Sequence, residues 1–143
     1  MDALDPDALR TLVEDLVPFN HFLGVRLTSV DRAAGRLGTR LDLRPEFVGN
    51  AMRDMPHGGV VSALIDATAG AAAALSLEDL SLADRVATID MRVDYLRAAR
   101  GVSLHADAEV MRTGRRVIVV RTVVRDDDGE LVALGSNAFH VAR

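Results

Sequence analysis

Residues 56–75 read Pro-His-Gly-Gly-Val-Val-Ser-Ala-Leu-Ile-Asp-Ala-Thr-Ala-Gly-Ala-Ala-Ala-Ala-Leu, and Asp66 is the one acidic side chain among them. Burying a carboxylate without a partner costs several kcal/mol, so Asp66 is either capped by a donor at an interface or put to use. Nine positions earlier stands His57, followed by Gly58 and Gly59. The first N–H groups of a helix have no intrahelical acceptor, and the helix dipole there favours developing negative charge. A backbone N–H at Gly58, unshielded by a side chain, can steady an oxyanion. The carboxylate of Asp66 can take a proton from water or attack a carbonyl itself. Together these groups suit chemistry at a polarised carbonyl.

The elements that must position them follow from periodicity. Ala and Leu are strong helix formers, and 59–75 is too long for an ordinary strand; at ~1.5 Å per residue it spans roughly 25 Å. Gly59, Ser62, Ala63, Asp66, Ala67, Gly70 and Ala74 fall three or four apart and make a stripe of small side chains, open to another backbone or a slender ligand. Val60, Leu64, Ala71 and Leu75 make an apolar stripe suited to lying on a sheet, with Val61, Ile65 and Thr68 between the two.

Elsewhere the period is mostly two. Residues 25–30 and 36–43 flank a polar, glycine-ended turn and read as an antiparallel hairpin with Leu37, Thr39, Leu41 and Leu43 on one face. The segment 44–56, with two prolines and Gly49, reads as a loop delivering the chain to His57. Residues 76–84 read as a loop or last helical turn. Strands are expected at 86–95, 102–110, 117–124 and 131–141. In the first of these, alternation sets Val86, Thr88, Asp90, Arg92 and Asp94 against Ala87, Ile89, Met91, Val93 and Tyr95. At the amino end, within 1–18, Pro6 opens a helix to about Val17 with Leu9, Leu12, Val13 and Leu16 on one face, and Pro18 ends it. Residues 19–24 read as an irregular link or single turn whose Phe19, Phe22 and Leu23 either fold over a pocket mouth or pack in the core. The sum is a single α+β domain over 1–143, an antiparallel sheet of about six strands around a long central helix at 57–79.

Composition removes several functions. A formal charge of -4 gives no general attraction to nucleic acid or anionic membrane. All 17 basic residues are arginine, which excludes Schiff-base and P-loop lysine chemistry, and the lack of cysteine excludes thiolate catalysis and disulfides. His21, His105 and His140 are single histidines without metal spacing, so no metal and no cofactor is expected. The run Asp126, Asp127, Asp128, Gly129 reads as a hairpin turn. The acidic start, from Met1 to Pro6, lacks the pattern of a secretory signal, and Asp66 interrupts the one long apolar run, so no membrane insertion and a cytoplasmic location are expected.

The string from His57 to Gly70 resembles the central-helix signature of the hotdog-fold acyl-CoA thioesterases, particularly the group of the phenylacetic acid degradation thioesterase. Residues 88–101, with Tyr95-Leu96-Arg97, look like the strand and turn that follow that helix, and 112–116 like the next turn. The resemblance runs from about Phe22 to the carboxyl end. It implies a hotdog fold, a curved sheet wrapped around the helix, and hydrolysis of acyl-CoA thioesters to free acid and coenzyme A. It implies a homodimer, possibly a dimer of dimers, whose helices lie side by side with the sites between them. Carried over by position, Asp66 is general base or nucleophile, and the Gly58 N–H polarises the thioester carbonyl. Asn50 positions water or substrate, Thr88 helps hold the water, and His57 shapes the loop. Gly59 and Ser62 border the site.

Coenzyme A would enter as part of the substrate, its phosphates met by Arg97, Arg100, Arg112, Arg115 and Arg116, with the acyl chain beside Phe47, Met52 and Met55. Geometry adds a condition: Asp66 lies ~12 Å along the helix from Gly58, too far for both to touch one carbonyl. Two helices packed antiparallel through the small stripe would bring Asp66 of one to Gly58 of the other. The competing readings are a non-catalytic acyl-CoA-binding domain and a hydratase or dehydratase of the same fold.

Overall fold

The computed structural model describes residues 5–142; the first four residues, on which part of the leader argument rested, lie outside them. Asp5 caps α1 (Pro6–Thr11) by accepting from the Asp7 N–H at 2.9 Å, with Pro6 at the first helical position. The helix then widens into a π turn, Leu12–Leu16. That turn rotates the expected face: Leu9 and Val13 are buried, whereas Leu16 is 61% exposed. Val17, preceding a proline, is extended, and α2 (Pro18–Leu23) follows, closed by Gly24 in the left-handed region at φ 83°. An irregular link was expected here. Of its three apolar side chains only Leu23 enters the core, while Phe19 and Phe22 are exposed.

β1 (Val25–Asp31) and β2 (Arg36–Asp42) form the expected hairpin, with Leu37, Thr39 and Leu41 buried on one face. The segment 44–56 is more ordered than a loop. A 3-10 turn (Pro45–Phe47) leads into a small antiparallel ribbon, β3 (Val48–Asn50) and β4 (Met55–Pro56). The ribbon sets the entry to α3 (Gly58–Leu75): the His57 N–H donates to the Phe47 carbonyl at 2.7 Å, and a Cβ on Gly49 would come within 2.5 Å of His57 Cα. α3 ends four residues earlier than expected, and a 3-10 turn, Leu80–Arg85, leads into β5 (Val86–Tyr95). β6 (Ser103–Thr113), β7 (Val117–Arg125) and β8 (Leu131–Val141) complete an antiparallel sheet of order β1-β2-β6-β7-β8-β5.

The chain thus leaves β2, crosses the sheet as α3, lays β5 on the far edge, and fills the gap with the last three strands. Leu64 and Ile65 are fully buried against the sheet, each stabilising by about 1.5–3 kcal/mol. By length and composition α3 could cross a membrane; here it is the core helix, with Val61, Leu64, Ile65, Thr68 and Ala72 buried, and of the expected apolar stripe Leu64, Ala71 and Leu75 are buried while Val60 packs half-buried against the same core. The one hydroxyl on that face is paired: Thr68 donates to the Leu64 carbonyl at 2.7 Å and meets Thr39 at 2.6 Å. A Cβ on Gly135 would overlap Ile65, so glycine lets the helix lie close on β8.

The turn at 126–129 also ties two hairpins together. Asp127 accepts from the N–H groups of Val102 and Ser103, from the Ser103 hydroxyl and from His105 Nε2, and Asp126 accepts from the Arg100 N–H at 3.0 Å. The Ser103 hydroxyl, then His105 and the Val102 N–H, hold the Asp127 carboxyl far below the usual carboxylate range. For Asp126, burial pushes upward but is outweighed by the N–H groups of Arg100, Glu130 and Asp128 and by Arg97, so its carboxyl also sits low.

Candidate active site

The first turn of α3 is held from three sides. His57 is the N-cap residue, and its Nδ1 accepts from the Gly59 N–H at 2.8 Å. An accepting Nδ1 carries no proton, so the neutral ring is protonated at Nε2. The Tyr95 hydroxyl donates to the Gly58 carbonyl at 2.8 Å, clamping the turn to β5, and a Cβ on Gly58 would meet the Tyr95 ring at 3.3 Å. Ser62 donates to the Gly59 carbonyl at 3.1 Å.

Two turns along the helix, Asp66 is half-buried and accepts from two neutral donors. Asn137 Nδ2 lies 2.9 Å from Oδ1, and Thr88 Oγ1 lies 3.0 Å from Oδ1 and 3.3 Å from Oδ2. Thr88 reaches the carboxylate because β5 carries a bulge: its pairing with β8 slips between Thr88 and Asp90, leaving Ile89 as the extra residue. Strict alternation would have separated Thr88 from Met91 and Val93. The bulge puts all three toward α3 and leaves Ile89 57% exposed.

Asp66 and Thr88 line a cavity of about 320 Å³. Its floor is the small-residue side of α3, including Ala67, Gly70 and Ala74, and its far wall is Phe139. Its roof is the amino-terminal segment, with Leu12, Val13, Val17 and Phe19. An apolar chamber with one carboxylate and one hydroxyl on its wall can hold a hydrocarbon tail and present a carbonyl to the acid.

Other expected residues lie elsewhere within one protomer. Asn50 is exposed on the ribbon, where its Oδ1 accepts from the Met52 N–H at 3.1 Å. Phe47 is buried with the Arg44 guanidinium 4.3 Å from its ring, Met52 is 94% exposed and Met55 is half-buried; none of the three borders the Asp66 cavity. The five arginines are not one cluster. Arg97, ion-paired with Glu130 at 3.0 Å, and Arg100 sit at the end of the sheet where α3 begins. Arg112, Arg115 and Arg116 line a surface depression at the opposite end, separated from the first two by the length of a ten-residue strand, roughly 33 Å. Among the described residues no group of three His, Asp or Glu side chains is placed to hold a metal ion.

Asn137 and most of the roof were missed from the sequence; of the roof, only Phe19 is among the residues that read as folding over a pocket mouth. Asn137 left a trace: alternation in 131–141 puts it in line with Ala133, Gly135 and Phe139, a polar group on an otherwise apolar face. Leu12, Val13 and Val17 left none, because nothing local to residues 12–17 indicates that they fold over Asp66.

The description of the thioesterase superfamily matches residues 55–133, from β4 through α3 into β8. The chain belongs to that superfamily. A medium/long-chain acyl-CoA thioesterase of Salmonella typhimurium, YigI, is 31% identical to this thioesterase, over 87% of this chain and 86% of that protein. A solved Shewanella oneidensis protein related to the same superfamily superposes with a TM-score of 0.82 at 29% identity, covering 95% and 94% of the two chains. A phenylacetic acid degradation-related protein from Ralstonia eutropha matches in fold, with a TM-score of 0.81 at 24% identity over 93% and 98%. The thioesterase described here is therefore a hotdog-fold hydrolase acting on acyl-CoA-type substrates.

Proposed function

We propose that this thioesterase hydrolyses medium- to long-chain acyl-CoA thioesters at a site shared by two copies of the chain. The observation that carries the reading is Asp66, held by Thr88 and Asn137 on the wall of an apolar cavity. Two features support the shared site. The stripe of Gly59, Ser62, Ala63, Asp66, Ala67 and Gly70 is the side of α3 that the sheet leaves uncovered, and β5 is an edge strand with Ile89 and Tyr95 exposed, as is Leu96 just after it. Two β5 edges paired about a two-fold axis would continue the sheet and bring the helices together, with Gly58 of one copy opposite Asp66 of the other.

In that arrangement the Gly58 N–H polarises the thioester carbonyl. Asp66 takes a proton from water as the water oxygen bonds to the carbonyl carbon. Collapse of the tetrahedral intermediate breaks the carbon–sulfur bond, and the departing thiolate recovers the proton from Asp66, giving the free acid and coenzyme A. The Thr88 hydroxyl, donating to Asp66, still has lone pairs to accept from the water. The acyl tail takes the cavity under Leu12, Val17 and Phe19, and arginines at the turns remain candidates for the coenzyme A phosphates.

The test is thiol release from a panel of acyl-CoAs. Asp66→Asn keeps the shape but withdraws the base, and a general base contributes about 10²- to 10⁴-fold, so kcat should fall by that order. An Asp66→Asn enzyme at the wild-type rate would falsify the assignment.

A further inference from the structure

Asn137 stands in mid-β8 on the face toward α3, with its side chain 1% exposed. Its Nδ2 donates to Asp66, and its Oδ1 has no hydrogen-bond partner among the described residues. An ionised carboxylate can only accept. The amide must therefore turn its nitrogen to Asp66, which commits its oxygen to the core. A buried carbonyl without a partner is destabilising; an apolar side chain of similar size would remove that cost but would also take one donor from Asp66, whose Oδ1 would keep only Thr88. The cost of the unpaired oxygen offsets much of what the bond to Asp66 contributes to the fold, so the amide's main effect here is where its nitrogen holds the acid.

The distances say what that is. Thr88 has one hydroxyl proton, shared between Oδ1 at 3.0 Å and Oδ2 at 3.3 Å. With Asn137 also on Oδ1, both shorter bonds fall on one oxygen and the other is left lightly held. We propose that Asn137 is a positioning residue: with Thr88 it anchors Oδ1, fixes the plane of the Asp66 carboxylate, and leaves Oδ2 as the oxygen that takes the proton from water. The inference rests on the catalytic reading of Asp66 given above and predicts a separation that reading alone does not, since the residue that orients the acid adds little to the fold.

The experiment places Asn137→Leu in the wild-type and Asp66→Asn backgrounds and measures kcat, KM and the thermal midpoint. Loss of an orienting contact is expected to lower kcat about ten-fold or more, with KM held within about two-fold because substrate binding is untouched. The thermal midpoint should change little, the lost bond to Asp66 being offset by removal of the unpaired carbonyl. In the Asp66→Asn background the same substitution should leave the residual rate unchanged, because Asn137 acts only through Asp66. Asn137→Ser, too short to reach the carboxylate, carries the same kcat test if the leucine variant does not fold. Wild-type kcat in the Asn137 variants, with Asp66→Asn inactive, overturns the positioning role and leaves the proposed mechanism standing. A thermal midpoint that falls steeply together with kcat in Asn137→Leu marks a purely structural asparagine and also overturns it. Full activity in Asp66→Asn removes the mechanism underneath.

Discussion

Replacing Thr88 by valine removes one hydroxyl and almost nothing else. Valine has the same shape, suits an edge strand, and keeps the bulge at Ile89, whose register comes from pairing with β8. The loss is the bond to Asp66 at 3.0 Å, with its weaker share at 3.3 Å. A hydrogen bond to a charged group is worth about 1.5–3 kcal/mol. Thr88 is solvent-exposed in one protomer, which argues for the lower end, and about 1.5 kcal/mol is about ten-fold in rate. If a second copy covers the site and excludes water, the upper end applies, about 150-fold at ~3 kcal/mol. Continuous thiol detection at saturating acyl-CoA gives kcat, and a substrate titration gives KM. The expected result is a kcat lowered between those limits, a nearly constant KM, and recovery in Thr88→Ser, which keeps the hydroxyl. A valine variant at wild-type kcat, or a serine variant no better than valine, refutes the argument that this hydroxyl orients or hydrates the acid.

Two further outcomes follow from the cavity and from the aspartate turn. A Cβ on Gly70 would stand 3.6 Å from the Phe139 ring, an ordinary contact, so Gly70→Leu should project into the cavity and lower the ratio of long- to short-chain kcat/KM. Each methylene kept out of the cavity loses about 0.8 kcal/mol, about four-fold, and an unchanged ratio would place the acyl tail elsewhere. Asp127, whose carboxyl is held low chiefly by the Ser103 hydroxyl, contributes stability that is complete above the ordinary carboxylate pKa and is lost as pH falls below it. Wild-type thermal midpoints should therefore drop more steeply below about pH 4 than those of Asp127→Asn, and parallel curves would contradict this.

Local pattern carried most of the architecture. An apolar run too long for a strand made α3, and alternation made each of the six main strands, because both signals reside in consecutive residues. What escaped was set by distant partners. The side on which Thr88 lies depends on a bulge that exists only against β8, so alternation within 86–95 gave the wrong partners for it. The arginines looked like one group because 97, 100, 112, 115 and 116 are near in sequence, but β6 carries the chain from one end of the sheet to the other between Arg100 and Arg112. The aspartate run read as a turn and is one; its grip on Ser103 and His105 needed the crossover to come alongside. Asp66 stood out because a carboxylate in an alanine-rich helix breaks the local rule, and Asn137 breaks the same rule more quietly on an apolar strand face.

Departures from regular structure converge on the cavity from different parts of the chain. The π turn at Leu12–Leu16 contributes Leu12 and Val13 to the roof, the bulge at Ile89 delivers Thr88, and the unpaired carbonyl of Asn137 is the consequence of its nitrogen meeting Asp66. Each is less favourable locally than the regular alternative: a wider helical turn, an interrupted ladder, a buried group without a partner. Irregularity alone does not mark a site, since the slips in β1 at Thr28 and in β6 at Met111 border no part of this cavity. The difference lies in what the irregular residue or its neighbour touches. At Thr28 and Met111 the slip can be repaired without moving a group toward Asp66, whereas restoring a regular ladder at Ile89 would turn Thr88 to the opposite face of β5 and withdraw a donor from the acid.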